Sequence, residues 1–76
     1  ELEMIRMERI NLVRSGVKQL PEKIQTVIYL YYTAELSVEE IAQTLHIPNG
    51  TVKSRLHKGR MSVKEYLEVH GYERDG

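Results

Sequence analysis

Basic side chains are concentrated in one stretch of the chain, in a pattern that suits contact with nucleic-acid phosphates and bases. From Thr51 to Lys64 every charged residue is a cation; these are Lys53, Arg55, Lys58, Arg60 and Lys64. The formal net charge of the 76-residue chain is +0, so the acids lie elsewhere. A positive stripe on a balanced body is typical of a phosphate-binding face, although such a run can also be a solvated helix face.

Other residue types that carry chemistry are scattered. The three histidines (His46, His57 and His70) lack carboxylates or thiolates at ligand spacing, and the chain has no cysteine, so we predict no metal site. Glu39 and Glu40 are neighbours that point about 100° apart on a helix, which excludes an acid–base pair. With no nucleophile–base arrangement and no phosphate-cradling glycine loop, we expect a non-enzymatic protein without a cofactor.

Length and composition favour one small domain. A chain of 76 residues has room for a single modest core. It contains no apolar run of membrane-spanning length and no signal peptide, so we expect a cytoplasmic protein without membrane contact. Because it starts at Glu1 without Met, it is compatible with a piece cut from a larger protein.

Hydrophobic periodicity predicts an all-α domain of four helices, at approximately 2–19, 22–33, 38–45 and 50–69, followed by a frayed tail at 71–76. The first helix is expected to bury one face, formed by Ile10, Val13, Val17 and Leu20. Pro21 suits the first turn of the second helix. In that helix the core-facing positions are Ile24, Val27, Ile28 and Tyr31.

The third and fourth helices form a helix-turn-helix pattern. Ser37 and Glu40 have the spacing of a capping box, which predicts the start of the third helix. The segment from His46 to Gly50 breaks the periodicity and predicts a turn, in which His46 can adopt a positive φ. A short helix, a tight turn and a longer basic helix are the arrangement of a DNA-binding helix-turn-helix.

A turn of about 100° per residue divides the fourth helix into two faces. The buried face is predicted to comprise Val52, Leu56, Gly59, Val63, Tyr66 and Leu67. The opposite face and its amino-terminal half are expected to enter the major groove, where Ser54, His57 and Lys58 are best placed to contact base edges. On the flanks, the spacing predicts contacts to the DNA backbone by Gly50, Thr51, Lys53, Arg55, Arg60 and Lys64. Arg55 can also pack its methylenes along the protein body.

The sequence from the second helix to the fourth resembles a known family. The pair Leu20-Pro21, the run YLYYTAELSVEEIAQTLHIPNGTVKSRLHKGR and the long closing helix are similar to region 4 of sigma factors, most closely the extracytoplasmic-function group. The resemblance extends from about Val13 to Leu67. It implies a four-helix domain whose last helix binds the −35 element of double-stranded promoter DNA. It also implies that the first helices dock on the β-subunit flap of the RNA polymerase core, and that an anti-sigma factor can mask these surfaces.

By position, Lys53, Ser54, His57 and Lys58 match the −35 base readers of that family, so the resemblance adds Lys53 to the predicted base-contacting residues. Thr51, Arg55 and Arg60 match its backbone contacts. Four positions depart from the family pattern. Gln25 and Lys58 stand where Arg is usual, and Glu35 and His46 stand where Gly is common. Lysine lacks the bidentate fork of arginine, so the exact promoter preference stays open.

Two alternatives to the sigma interpretation remain. The output domain of a LuxR-type activator or response regulator shares the turn and the start of the fourth helix. Alternatively, the chain acts mainly through protein partners such as the flap or an anti-sigma factor, which would place the important surface at Ile24, Tyr29 and Tyr32.

Overall fold

The computed structural model describes residues 2–70, which form four α-helices and no strand. They are α1 (Leu2–Lys18), α2 (Glu22–Tyr32), α3 (Val38–Leu45) and α4 (Asn49–Val69). The predicted all-α fold and the order of its helices are confirmed, and every predicted helix end lies within one residue of the observed one. The predicted frayed tail at 71–76 lies outside the described residues. None of these helices is long and apolar enough to cross a membrane.

The core lies where α4 crosses the other three helices. Its buried residues come from α2, α3 and α4, and they are Val27, Ile41, Ala42, Val52 and Leu56. Half-buried side chains of the same helices and their connections surround them, including Ile28, Tyr31, Leu36, Leu45 and Ile47. Because α4 packs against α1, α2 and α3, this one helix joins the whole domain.

The α1–α2 connection is fixed by a buried leucine and a glutamine. Leu20 is buried. The sequence analysis placed Pro21 in the first turn of α2, but in the structure Pro21 is the residue just before the helix, which begins at Glu22. The side-chain amide of Gln25 donates to the backbone oxygen of Leu20 at 2.8 Å. Gln25 therefore ties the start of α2 to the end of the preceding connection.

The predicted apolar face of α1 is only partly correct. Leu20 is buried and Val17 half-buried, but Ile10 and Val13 are each 40% exposed. The reason is that α1 packs close to α4 near its carboxyl end, where a Cβ added to Gly16 would lie 3.1 Å from Cδ2 of Tyr66. Toward the amino end, Met4 and Met7 are also exposed.

The α2–α3 connection places the start of α3 by hydrogen bonds. The backbone N–H of Leu36 donates to the oxygen of Leu30 at 2.9 Å, and Glu35 between the helices has a positive φ of 59°. The predicted capping box is confirmed in both directions: Ser37 N–H donates to Oε1 of Glu40 at 2.8 Å, and Glu40 N–H donates to Oγ of Ser37 at 3.1 Å. Together they fix where α3 begins.

Candidate nucleic-acid interface

The turn between α3 and α4 is held by backbone hydrogen bonds and by one apolar side chain. His46 ends α3 with φ 59° and ψ 46°, the left-handed conformation predicted for it. The N–H of Ile47 donates to the oxygen of Ala42 at 3.0 Å, and the Ile47 side chain packs on the core. Pro48 then accepts hydrogen bonds from Thr51 and Val52, which begins α4. The geometry is that of a helix-turn-helix.

The inner face of α4 is anchored by its amino-terminal half. Val52 and Leu56 are 0% and 3% exposed, and Gly59 is buried one turn further on. A Cβ at Gly59 would lie 3.0 Å from Cγ2 of Ile24, so α2 and α4 cross closely at this glycine. The predicted buried positions Val63, Tyr66 and Leu67 are half-buried. The face of α4 that points outward is thereby set.

The four predicted base-contacting residues share that outward face. Lys53, Ser54, His57 and Lys58 are all exposed. Met61 continues the face and is 48% exposed. The structure thus brings a hydroxyl, an imidazole and two ammonium groups together on the first three turns of a helix whose other side is buried. Side chains of these types can reach base edges in a major groove.

The flanks of this face differ from one another. Gly50 is exposed, and a Cβ added there would meet nothing within 4 Å, so another molecule can approach the backbone closely. Thr51 and Arg55 are half-buried, which agrees with an Arg55 side chain lying partly along the protein body. From Asn49 to Lys64, α4 has no carboxylate. The first four turns of α4 therefore carry positive charge only, and the acids of the helix, Glu65 and Glu68, lie in its last turns.

Arg60 and Lys64 lie further along α4, toward α2 and α1. Nε of Arg60 donates to the hydroxyl of Tyr32 at 2.5 Å. Its guanidinium also lies over two rings, with Cζ 5.7 Å from the centroid of Tyr31 and 5.6 Å from that of Tyr32. Sequence reasoning assigned Arg60 to the DNA backbone but did not anticipate this contact, which joins residues 28 positions apart.

A groove of about 740 Å³ opens between α1, α2 and α4. Its walls are largely apolar and include Val13, Val17, Ile28, Tyr29, Tyr32, Val63 and Leu67. Its charged lining residues are four cations, Arg14, Lys18, Arg60 and Lys64, and no carboxylate lines it within the described chain. We refer to this surface as the apolar groove.

The three residues predicted to bind protein partners do not share one surface in the structure. Tyr29 and Tyr32 are 59% and 53% exposed and both line the apolar groove. Ile24 is half-buried and packs toward Gly59 instead. The sequence analysis did not predict the α1 and carboxyl-terminal α4 walls of the groove, because the groove forms only when three helices pack together.

Among residues 2–70 no group of three His, Cys, Asp or Glu side chains could hold a metal ion. The three histidines lie in different places. His46 is in the turn and His57 is on the outward face of α4. His70 stacks on Tyr66, with ring centroids 4.0 Å apart.

Comparison with known proteins gives a consistent result. The sequence model of the family described as "Sigma-70, region 4" matches residues 16–65. The chain is 42% identical over 64 residues to the ECF RNA polymerase sigma factor SigW of Bacillus subtilis (strain 168), covering 84% of this chain and 34% of that protein. It is 36% identical over 61 residues to the ECF RNA polymerase sigma factor SigE of Mycolicibacterium smegmatis, covering 80% of this chain and 24% of that protein.

A third relative is the RNA polymerase sigma-H factor of Pseudomonas aeruginosa, 35% identical over 68 residues, or 90% of this chain and 35% of that protein. The chain thus spans about a third or less of the length of these curated relatives. The matched segment contains the helix-turn-helix and most of the apolar groove.

Proposed function

The chain belongs to the sigma-70 region 4 family, and from that premise we propose that it binds the −35 element of a bacterial promoter. In this role α4 enters the major groove, and Lys53, Ser54, His57 and Lys58 contact base edges. Backbone phosphates are contacted by residues on the flanks, namely Gly50, Thr51, Arg55, Arg60 and Lys64. The protein acts by binding, without catalysis or cofactor, on DNA in the bacterial cytoplasm.

One observation carries this proposal: the two faces of α4 are sharply different. Val52, Leu56 and Gly59 are buried, while the four proposed base-contacting residues on the other side are exposed. Because no residue from Asn49 to Lys64 is a carboxylate, this stretch of α4 attracts phosphates through its cations without adding like-charge repulsion of its own. Membership in the family favours this function over that of a response-regulator output domain.

The size of the interface sets the expected affinity. A single helix that makes a handful of phosphate and base contacts binds weakly and loses affinity steeply with salt. In a sigma factor the domain is held near the promoter by the polymerase, which raises its effective concentration. We therefore expect modest affinity for the isolated chain and rely on sequence preference, rather than on tight binding, as the diagnostic property.

The test begins with a DNA selection, because the preferred sequence is unknown. The immobilised chain first enriches duplexes from a randomised pool. We then titrate ¹⁵N-labelled protein with the selected duplex, and separately with a shuffled duplex of equal composition, and follow NMR chemical shifts at two salt concentrations. We expect larger shifts for the selected duplex, concentrated from Gly50 to Lys64 and reduced at high salt. Equal shifts with both duplexes would reject sequence-specific reading, and no shift at low salt would reject DNA binding by this chain.

We further propose that the apolar groove docks a protein partner in the transcription machinery. Its apolar walls and four cations fit an amphipathic helix that carries carboxylates beside its apolar face. The β-subunit flap of the RNA polymerase core is the partner that the family resemblance implies, and an anti-sigma factor would compete for the same surface. Arg60 and Lys64 line the groove and are also proposed phosphate contacts, so the two surfaces adjoin at these residues, while the four base-contacting residues lie outside the groove.

A further inference from the structure

The hydroxyl of Tyr32 and the guanidinium of Arg60 form a directed pair between α2 and α4. Nε of Arg60 donates to the Tyr32 hydroxyl at 2.5 Å. The rings of Tyr31 and Tyr32 are nearly perpendicular, at 80°, with centroids 5.0 Å apart, and Arg60 lies over both. The guanidinium is therefore restrained by a hydrogen bond and by two cation–π contacts.

The helix crossing produces this restraint. Gly59 allows α4 to approach Ile24 and Ile28 of α2 closely, and Arg60 is the next residue of α4. Its side chain consequently leaves α4 beside the carboxyl end of α2, where Tyr31 and Tyr32 are located. An unrestrained arginine would instead sample many rotamers, and ordering it on binding DNA would cost conformational entropy.

The restraint leaves most of the hydrogen-bonding capacity of Arg60 available. A guanidinium has five N–H donors in a planar fork, and the contact with Tyr32 uses only the one on Nε. Arg60 is exposed, and it lies seven residues after Lys53 on the same edge of α4. The two terminal nitrogens can thus present a bidentate fork to an anionic oxygen pair such as that of a phosphate.

We propose that Tyr32 is a positioning residue for DNA binding: its hydroxyl holds Arg60 so that the terminal nitrogens of the guanidinium meet a backbone phosphate next to the bases read by α4. The inference rests on the proposed promoter-binding function and adds to it a residue from α2. Tyr32 itself touches no DNA. Its contribution is to reduce the ordering cost of the arginine and to fix its direction.

A double-mutant cycle tests this assignment. The affinity for the selected duplex is measured by fluorescence anisotropy across a salt series for wild type, Tyr32→Phe, Arg60→Ala and the double variant. We expect Arg60→Ala to reduce the slope of log affinity against log salt by about 0.9, as for the loss of one phosphate contact. Tyr32→Phe should weaken binding about three- to tenfold, and in the Arg60→Ala background it should have no further effect.

Matched controls separate positioning from general effects. Tyr66→Phe removes a hydroxyl from a tyrosine whose contacts within residues 2–70 are made by its ring, and we expect unchanged DNA affinity. Lys23→Ala removes an exposed charge from α2, and we expect an unchanged salt slope. Because Tyr32 is 53% exposed and Phe retains its ring, urea unfolding followed by circular dichroism should confirm that Tyr32→Phe stays folded.

The possible outcomes are distinct. An unchanged salt slope for Arg60→Ala, or an equal effect of Tyr32→Phe in both backgrounds, would overturn the inference while promoter binding stands. If both variants weaken binding to core RNA polymerase and not to DNA, the pair belongs to the apolar groove and the inference is overturned as well. If wild type fails to prefer the selected duplex, the proposed function fails, and the inference that rests on it fails too.

Discussion

A Cβ atom placed on Gly59 would lie 2.8 Å from Cδ1 of Ile28, a distance that side chains essentially never adopt. Gly59 is thus a point of close contact between α4 and α2. The same crossing brings Arg60 beside Tyr31 and Tyr32 and forms one wall of the apolar groove. Both proposed binding surfaces therefore depend on the absence of a side chain at one position.

Gly59→Ala should destabilise the domain. The added methyl meets Ile24 and Ile28, and overpacking of this kind costs about 1–3 kcal/mol. The higher helix propensity of alanine returns at most about 1 kcal/mol. The free energy of unfolding, measured by urea titration with circular dichroism, should therefore fall.

Gly50→Ala is the matched control, since a Cβ at Gly50 meets nothing within 4 Å. It should raise the free energy of unfolding by up to about 1 kcal/mol through helix propensity alone. If Gly59→Ala were as stable as Gly50→Ala, the α2–α4 crossing would be looser than the structure describes.

The helices of this domain could be predicted from sequence because their signals are local. The Ser37–Glu40 capping box and the broken periodicity from His46 onward set the ends of α3, and the observed α3 (Val38–Leu45) has the predicted bounds. The two faces of α4 followed from residue spacing alone, and their burial agrees from Val52 to Gly59.

Features that depend on how helices cross could not be predicted in the same way. Ile10 and Val13 had the spacing of a buried face, yet each is 40% exposed, and Val13 lines the apolar groove instead of the core. The contact between Arg60 and Tyr32 requires both the crossing at Gly59 and the end of α2, and no local pattern encodes it. The apolar groove is formed by three helices and was missed for the same reason.

Lys58→Ala and Lys64→Ala should affect DNA binding in different ways. Loss of a base contact by Lys58 should reduce the preference for the selected over the shuffled duplex by about 1–3 kcal/mol. Loss of a phosphate contact by Lys64 should weaken binding to both duplexes equally. It should also lower the slope of log affinity against log salt by about 0.9. Anisotropy titrations at several salt concentrations measure both quantities, and identical behaviour of the two variants would contradict the division of α4 into base-reading and phosphate-binding parts.

Tyr29→Ala should weaken docking on the RNA polymerase core. Tyr29 is 59% exposed on the wall of the apolar groove, and truncation of an interface tyrosine commonly costs about 1–2 kcal/mol or more. Binding of the labelled chain to core polymerase can be measured by microscale thermophoresis. Met7→Ala removes an exposed apolar side chain that does not line the groove, so it should bind as wild type does. Equal affinity of Tyr29→Ala and wild type would place the docking surface elsewhere.

Ser37→Ala should lower the free energy of unfolding by about 0.5–2 kcal/mol, because it removes the hydroxyl that caps α3. Glu40→Gln is the informative companion variant. Its side-chain oxygen can still accept the hydrogen bond from Ser37 N–H, so it should lose less stability than Glu40→Ala. Urea unfolding of the three variants measures the difference, and equal losses for Gln and Ala at position 40 would show that charge, rather than the hydrogen bond, matters there.

Two connections carry backbone strain that glycine would relieve. Glu35 and His46 both have a φ of 59°, a conformation that costs an ordinary L-residue about 1–2 kcal/mol. Glycine adopts it freely but loses more entropy on folding. We therefore expect Glu35→Gly and His46→Gly each to raise the free energy of unfolding by about 0.5–1 kcal/mol. Both positions are exposed, so little packing is lost.

The control for these glycines is Thr44→Gly, an exposed site within α3 with ordinary helical backbone. There glycine should lower the free energy of unfolding by about 0.3 kcal/mol, the opposite sign, because threonine is itself a weak helix former. Thermal and urea unfolding of the three variants test the comparison. A loss of stability at position 46 similar to that at position 44 would mean that the His46 side chain, and not its backbone conformation, holds the turn between α3 and α4.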